Sequence, residues 1–257
     1  MNTYKSLFSP IQLRGLSLKN RVVLPAMGTH MCDENGYVTQ RLIDYHVARV
    51  EGGCALNIVE VACVHKPSAA KRFVSIAEDK YLDGLRKLTD AIHAAGGMAA
   101  IQLWQGGLAV ASDPSAQIIL PSDLALPGGY TIPGASEETI QSVFTAFGEA
   151  GRRAVEAGFD TMEFHAAHNY SPHSFLSAAF NHRTDRWGGP LENRAQFSLE
   201  CIRAIRRNIP VEMPLLMRVD AHDDYVDDGL TLDDIILFCK WAGAEVNGKK
   251  AGQSLTS

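Results

Sequence analysis

The chain has 257 residues, 46% hydrophobic and 21% charged, with a formal net charge of −5. That length suits one α/β barrel of about 250 residues, and the scattered charge offers no basic stripe for nucleic acid and no lysine-rich helix for a membrane surface. No window approaches the roughly 18 apolar residues of a membrane span, and residues 1–8 lack the apolar stretch of a secretory signal, so a cytoplasmic protein is expected.

In chain order, residues 11–18 alternate apolar and polar around Gly15. This reads as a small hairpin able to plug the bottom of a barrel. A strand over 21–26 follows, then a helix over 40–51 with Thr39 at its N-cap. A second strand spans 55–61, and a second helix 81–95 repeats Leu85, Leu88, Ile92 and Ala95 at helical spacing, a core face. Gly96-Gly97 stops it before the strand 98–103. The stretch 106–134, rich in Pro, Gly, Ser and Ala, reads as a long functional or mobile loop. A helix over 137–157 opens on Ser136 and Thr139 and stops at Gly158, before the strand 159–164. The polar run 181–194, with its Gly-Gly turn, is expected to fix a loop and to cap the helix 193–207 through Asn193. A strand over 214–219 and a helix over 232–241 complete the series.

Strand–helix alternation at this spacing implies a parallel sheet with right-handed crossovers. The fold class is therefore α/β, a TIM (β/α)8-type barrel with about five βα units and an N-terminal hairpin cap. Residues 1–241 are read as the partial barrel domain, and 242–257 as a hydrophilic, disordered tail without an apolar run long enough for a buried strand. The cysteines, Cys32, Cys54, Cys63, Cys201 and Cys239, are odd in number and hold no Cys-x-x-Cys pair. Reduced thiols are expected, with no zinc or iron–sulfur ligand set by spacing.

The most informative residues are His165-Ala166-Ala167-His168-Asn169-Tyr170, directly after an apolar strand. At the C-terminal face of a barrel, where such enzymes keep their chemistry, two imidazoles and a phenol can grip a carbonyl oxygen and deliver a proton. Three uses of the histidines stay open: donors to a substrate oxygen, local loop hydrogen bonds, or metal ligation, for which no third ligand is evident at fixed spacing. Tyr170 donates a proton or packs under the loop. Gln102 ends a strand with an amide that can read a heterocycle through both donor and acceptor, or is a polar rim residue. Arg218, embedded between apolar residues, needs an anion or an electron-rich ring as partner. Pro25-Ala26-Met27-Gly28 ends the first strand with residues that let a planar ligand approach the backbone.

Taken together, these motifs resemble the Old Yellow Enzyme family of NADH:flavin oxidoreductases, nearest the branch of 2,4-dienoyl-CoA, enoate-type and bile-acid reductases. The matching stretches are Leu7-Phe8-Ser9-Pro10, Leu18-Lys19-Asn20-Arg21-Val22-Val23, Gln102-Leu103, His165 through Tyr170 with Phe175-Leu176-Ser177, and Asn181-His182-Arg183-Thr184-Asp185 through Asn193-Arg194. The resemblance implies an FMN-bearing barrel reduced by NADH or NADPH that reduces the C=C bond of an α,β-unsaturated carbonyl compound. It implies that Pro25, Ala26, Met27, Gly28 and Val61 line the flavin, Gln102 meets its pyrimidine edge, and Arg218 sits beside the electron-rich side of the reduced ring. His165 and His168 then bind the substrate carbonyl oxygen and Tyr170 protonates the α-carbon.

The chain also departs from the family pattern. Gly28 stands where many members carry Cys or Thr, Val61 replaces a commoner small residue, and Trp104-Gln105-Gly106-Gly107-Leu108 lacks the usual His and Arg. His30 occupies a place where some members have a tyrosine. Members continue with further strands that hold the FMN phosphate, and an iron–sulfur centre is implied only for a longer form, so a C-terminal truncation is expected. The partners expected are small-molecule enones or enoyl compounds, with homo-oligomerisation left open. The other readings are a non-catalytic partial-barrel remnant or subunit and a metal-dependent barrel lyase or hydrolase resting on His165 and His168.

Overall fold

Alternation of apolar strands with amphipathic helices resolves, in the computed structural model describing residues 4–246, into one parallel sheet with helices on its outer face. The chain begins with β1 (Ile11–Leu13) and β2 (Leu16–Leu18), an antiparallel hairpin pairing Leu13 with Leu16. Leu16 and Leu18 pack on Ala55, Leu56, Ile58 and Ala100, so the hairpin closes the N-terminal end of the sheet's inner face. Gly15 donates its N–H to the Glu212 carbonyl at 2.9 Å, and a Cβ there would stand 2.9 Å from the same oxygen.

Next come β3 (Val23–Leu24), α1 (Gln40–Glu51), β4 (Leu56–Cys63), the short β5 (Val74–Ser75), α2 (Leu82–Ala94) and β6 (Met98–Trp104). Within the long loop lie β7 (Leu124–Ala125) and β8 (Thr131–Ile132), a hairpin of their own. Then follow α3 (Glu137–Glu156), β9 (Thr161–Ala166), α4 (Ser171–Leu176), α5 (Leu191–Arg194), α6 (Gln196–Arg207), β10 (Leu215–Val219) and α7 (Leu232–Val246). The strand order β3-β4-β6-β9-β10 follows the chain and every neighbouring pair is parallel, with β5 beside β4. Five consecutive βα units in that order form part of a (β/α) barrel.

Period-two alternation decides which side chains meet the helices and which face inward. Val59, Ile101, Leu103, Met162 and Phe164 point outward into the main core, shared with Leu88 of α2, Phe147 of α3 and Ile202 of α6. Each such fully buried side chain contributes about 1.5–3 kcal/mol over its exposed state. The inward series is apolar only at the base, where Ile58, Ala100 and Leu216 meet the hairpin.

Some boundaries differ from those expected. The first strand keeps only Val23–Leu24, because Pro25 offers no N–H to extend a ladder. His165 and Ala166 belong to β9 rather than to its loop, since Arg218 and Val219 of β10 pair with them. The loop 106–134 carries a 3-10 turn over Gly107–Ser112 as well as the β7–β8 hairpin. Asn193 lies inside α5, which starts after Pro190, and caps nothing; α6 follows from Ala195 without a side-chain cap. Thr39 does accept the Leu42 N–H, and Ser136 the Thr139 N–H. The last helix runs to Val246, past its expected end at Trp241, and the rest of the expected tail, 247–257, lies outside the described residues.

Candidate active site

Above its apolar base the inner face turns polar. Glu60, Gln102, Glu163, His165 and Arg218 continue the inward series toward the C-terminal strand ends, with Gln102 opposite Glu163 and His165 opposite Arg218 in register. Gln102 is buried and its Nε2 donates to Glu163 Oε1 at 2.6 Å. Burial holds the Glu163 carboxyl above the usual carboxylate range, opposed by the Gln102 bond and the Arg218 charge. Glu60, 1% exposed, accepts the Thr29 N–H at 2.9 Å, and burial raises its carboxyl too. Arg218 is exposed and makes no hydrogen bond or ion pair among the described residues.

His165 is 2% exposed, and its Nδ1 accepts the Ala167 backbone N–H at 3.3 Å. A backbone N–H is always the donor, so Nδ1 is unprotonated and the ring proton sits on Nε2. Burial pushes this imidazole down to about 3, reinforced by the charges of His168, Arg218 and His173. His165 is thus a neutral donor across the physiological range.

His168 and Asn169 take left-handed backbone conformations, φ 61° and 59°. This turn reverses the chain so that His168 and Tyr170 come back over His165. Ring centroids are 5.1 Å apart for His165–His168, 4.8 Å for His165–Tyr170 and 6.0 Å for His168–Tyr170. The structure therefore brings the three together in one edge-to-face cluster. Burial, and secondarily the Asp220 charge, raise the Tyr170 phenol above its ordinary value, keeping it a proton carrier rather than a phenolate.

Tyr170 continues into an aromatic wall: Trp104 lies 5.3 Å from it, Phe73 4.9 Å from Trp104, and His30 5.0 Å from Phe73. Val61 packs on this wall beside Trp104 and Val110. Gly106 is required behind it, since a Cβ there would stand 2.4 Å from Trp104 Cζ2. Of the run ending the first strand, Pro25, Met27 and Gly28 are exposed, while Ala26 packs on the base cluster. A Cβ at Gly28 would meet nothing within 4 Å, so the space above that backbone is open. Gln105 ties the wall to the loop that carries His168 and Tyr170: its Nε2 donates to Ser68 Oγ at 2.9 Å, and its Oε1 accepts from Ser171 Oγ.

The two histidines considered as metal ligands are not joined by a third ligand among the described residues. The group whose ligand atoms do lie within 4.8 Å of one another is His173, Asp220 and Asp223. Its members are engaged with one another and with the protein: His173 Nε2 lies 2.9 Å from Asp223 Oδ1, and Asp223 Oδ2 accepts from Ser177 Oγ at 2.9 Å. Glu163 and Asp220 were not singled out from the sequence. Both stand two residues from a residue that was, His165 and Arg218, so the same alternation marks them for the same face.

A model of the NADH:flavin oxidoreductase / NADH oxidase family matches residues 6–256. The chain belongs to that family. It is 34% identical over 248 residues to an NADPH dehydrogenase of Listeria monocytogenes, covering 93% of this chain and 70% of that protein. It is also 34% identical to an NADH oxidase of Thermoanaerobacter brockii, where 98% of this chain spans 40% of the relative's length. A solved structure of morphinone reductase in complex with tetrahydroNAD superposes with a TM-score of 0.80 at 28% identity, over 95% of this chain and 71% of that one. No helix among the described residues is long and apolar enough to cross a membrane.

Proposed function

We propose that this chain carries the substrate-binding face of an FMN-dependent NAD(P)H oxidoreductase acting on the C=C bond of α,β-unsaturated carbonyl compounds. The observation that supports this most is the His165–His168–Tyr170 cluster standing over an inner face that presents Gln102 and Arg218. The face suits a flavin. Gly28 leaves open space for a planar ring, the Gln102 amide is held by Glu163 with its second N–H and its oxygen still to use, and Arg218 is a cation with no ion pair among the described residues. Pro25, Met27, Gly28 and Val61 would border the ring, Ala26 supporting them from below. Bound FMN, reduced by NADH or NADPH, supplies the hydride.

The residues of the chain do the rest. His165 Nε2–H and His168 donate to the carbonyl oxygen, drawing electron density from the β-carbon and stabilising the charge that develops on the oxygen. A neutral His165 donates without losing its own proton, so its role is polarisation and not acid catalysis. Tyr170 holds the proton that the α-carbon needs, and its raised phenol keeps that proton in place until the substrate calls for it. Trp104 and Phe73 extend Tyr170 into an apolar wall that keeps water from that side of the site.

The test is direct. Purified chain is titrated with FMN, followed by flavin absorbance, then given NADPH and cyclohex-2-enone without oxygen. A bound flavin spectrum and enone-dependent NADPH oxidation are expected, and His165→Asn should lower kcat/KM by about 100-fold or more, the effect of losing one oxyanion donor. Wild-type turnover that His165→Asn leaves unchanged would refute the assignment.

A further inference from the structure

We infer that Asp220 is a positioning residue that sets where His168 stands, an inference that rests on the histidine pair binding the substrate oxygen. His168 and Asn169 both hold left-handed backbone angles, a conformation asparagine adopts readily but one uncommon enough for histidine that a contact holding it is worth seeking. Asp220 supplies that contact. Its Oδ2 accepts the His168 backbone N–H at 2.5 Å, and its Oδ1 stands 3.6 Å from Nε2 of the same histidine. One carboxylate therefore meets both the main chain and the ring of a residue that is otherwise half exposed at the site.

Asp220 is itself held from behind. The buried His173 places Nε2 3.5 Å from Asp220 Oδ2 and 2.9 Å from Asp223 Oδ1. Asp223 accepts from Ser177 Oγ at 2.9 Å and from the Leu230 N–H at 3.1 Å. Tyr225, in the same segment, donates its hydroxyl to Asn169 Oδ1 at 2.7 Å. The segment after β10 thus ties the catalytic loop at residues 168, 169 and 173. Asp223 pairs with His173 Nε2 without Asp220; what Asp220 adds is the link to His168.

Two substitutions separate the contacts. Asp220→Asn keeps an oxygen that can accept the His168 N–H but removes the charge facing the ring, whereas Asp220→Ala removes both. Amide exchange and imidazole resonances of the full chain without added ligand are read by NMR, with the β9 amides as folding control. In Asp220→Ala the His168 amide is expected to exchange about tenfold faster or more, the consequence of losing one charge-assisted hydrogen bond. In Asp220→Asn its protection should stay near wild type while the His168 ring resonances move. Equal His168 exchange in wild type and Asp220→Ala would overturn the inference. If Asp220→Ala does not fold, unchanged His168 ring resonances in Asp220→Asn overturn it instead. Failure of the carbonyl-binding reading shows separately, as His165 and His168 ring signals in FMN-saturated wild type that ignore added cyclohex-2-enone.

Discussion

His46 on α1 gives the structure a pH-dependent weakness whose size can be worked out. The side chain is 2% exposed, and among the described residues neither ring nitrogen nor the neighbouring Asn57 Oδ1 makes a well-formed hydrogen bond, Asn57 only weakly favouring the protonated ring. Burial pushes this imidazole from 6.5 down to about 4. The folded protein holds the ring neutral while the unfolded chain takes up a proton below about 6.5. Its contribution to stability is therefore intact above that pH and is lost as pH falls toward 4. At about 1.4 kcal/mol per unit, the loss reaches about 2 kcal/mol at pH 5 and about 3 kcal/mol at pH 4. His46→Leu keeps the volume and helix propensity and removes the proton site. We expect urea denaturation to find the variant within about 1 kcal/mol of wild type at pH 7.5, since two poorly bonded nitrogens leave the interior while Asn57 Oδ1 stays behind without a donor. At pH 5 the gap should widen by about 2 kcal/mol. His65 and His165, also neutral in the folded state, are present in both proteins and cancel. A gap of the same size at both pH values would refute the reasoning.

Glu163 predicts the opposite slope. Its raised carboxyl favours the folded state below about 4.5, an advantage lost as pH rises through the folded value, so Glu163→Gln should match wild type at pH 4 and exceed it at pH 8 in urea midpoint. Gly106→Ala would drive a Cβ to 2.4 Å from Trp104 Cζ2 and 2.7 Å from Val110 Cγ1; an overpacking loss of about 1–3 kcal/mol is expected in thermal melts. Gly28→Cys, with nothing within 4 Å of its Cβ, should stay within about 0.5 kcal/mol of wild type, and a larger drop would show that the space there is not open.

What could be read in advance follows the range of the interaction responsible. Helix α1 starts and stops as expected because Thr39 and Gly52 act within a few residues of the ends they fix. Leu85, Leu88 and Ile92 are core because one helical stripe suffices to say so. Asn193 was misread for a related reason: a plausible cap lost to a helix that had already begun after Pro190. The ends of β9 depended on a strand more than 50 residues away, and no local signal states that Val219 will pair with Ala166. The same holds for Gln102. Its amide was visible as a strand-tip group, but its bond to Glu163 joins strands 61 residues apart in sequence and exists only once the register is set.

That bond changes how the inner face should be understood. Glu60 is buried and Glu163 partly buried, burial opposes the ionisation of both carboxylates, and Arg218 is the cation whose charge bears on Glu163. Replacing either carboxylate with an apolar side chain would lighten the folding cost, yet Glu60 orders the backbone at Thr29 beside the open Gly28, and Glu163 fixes which way the Gln102 amide turns. A free Gln102 could rotate and present its oxygen or nitrogen indifferently. Anchored by Glu163, it presents one pattern of donor and acceptor to whatever lies above it. The inner face gives up stability for orientation, and it does so at the positions that a heterocycle with a fixed edge pattern would contact.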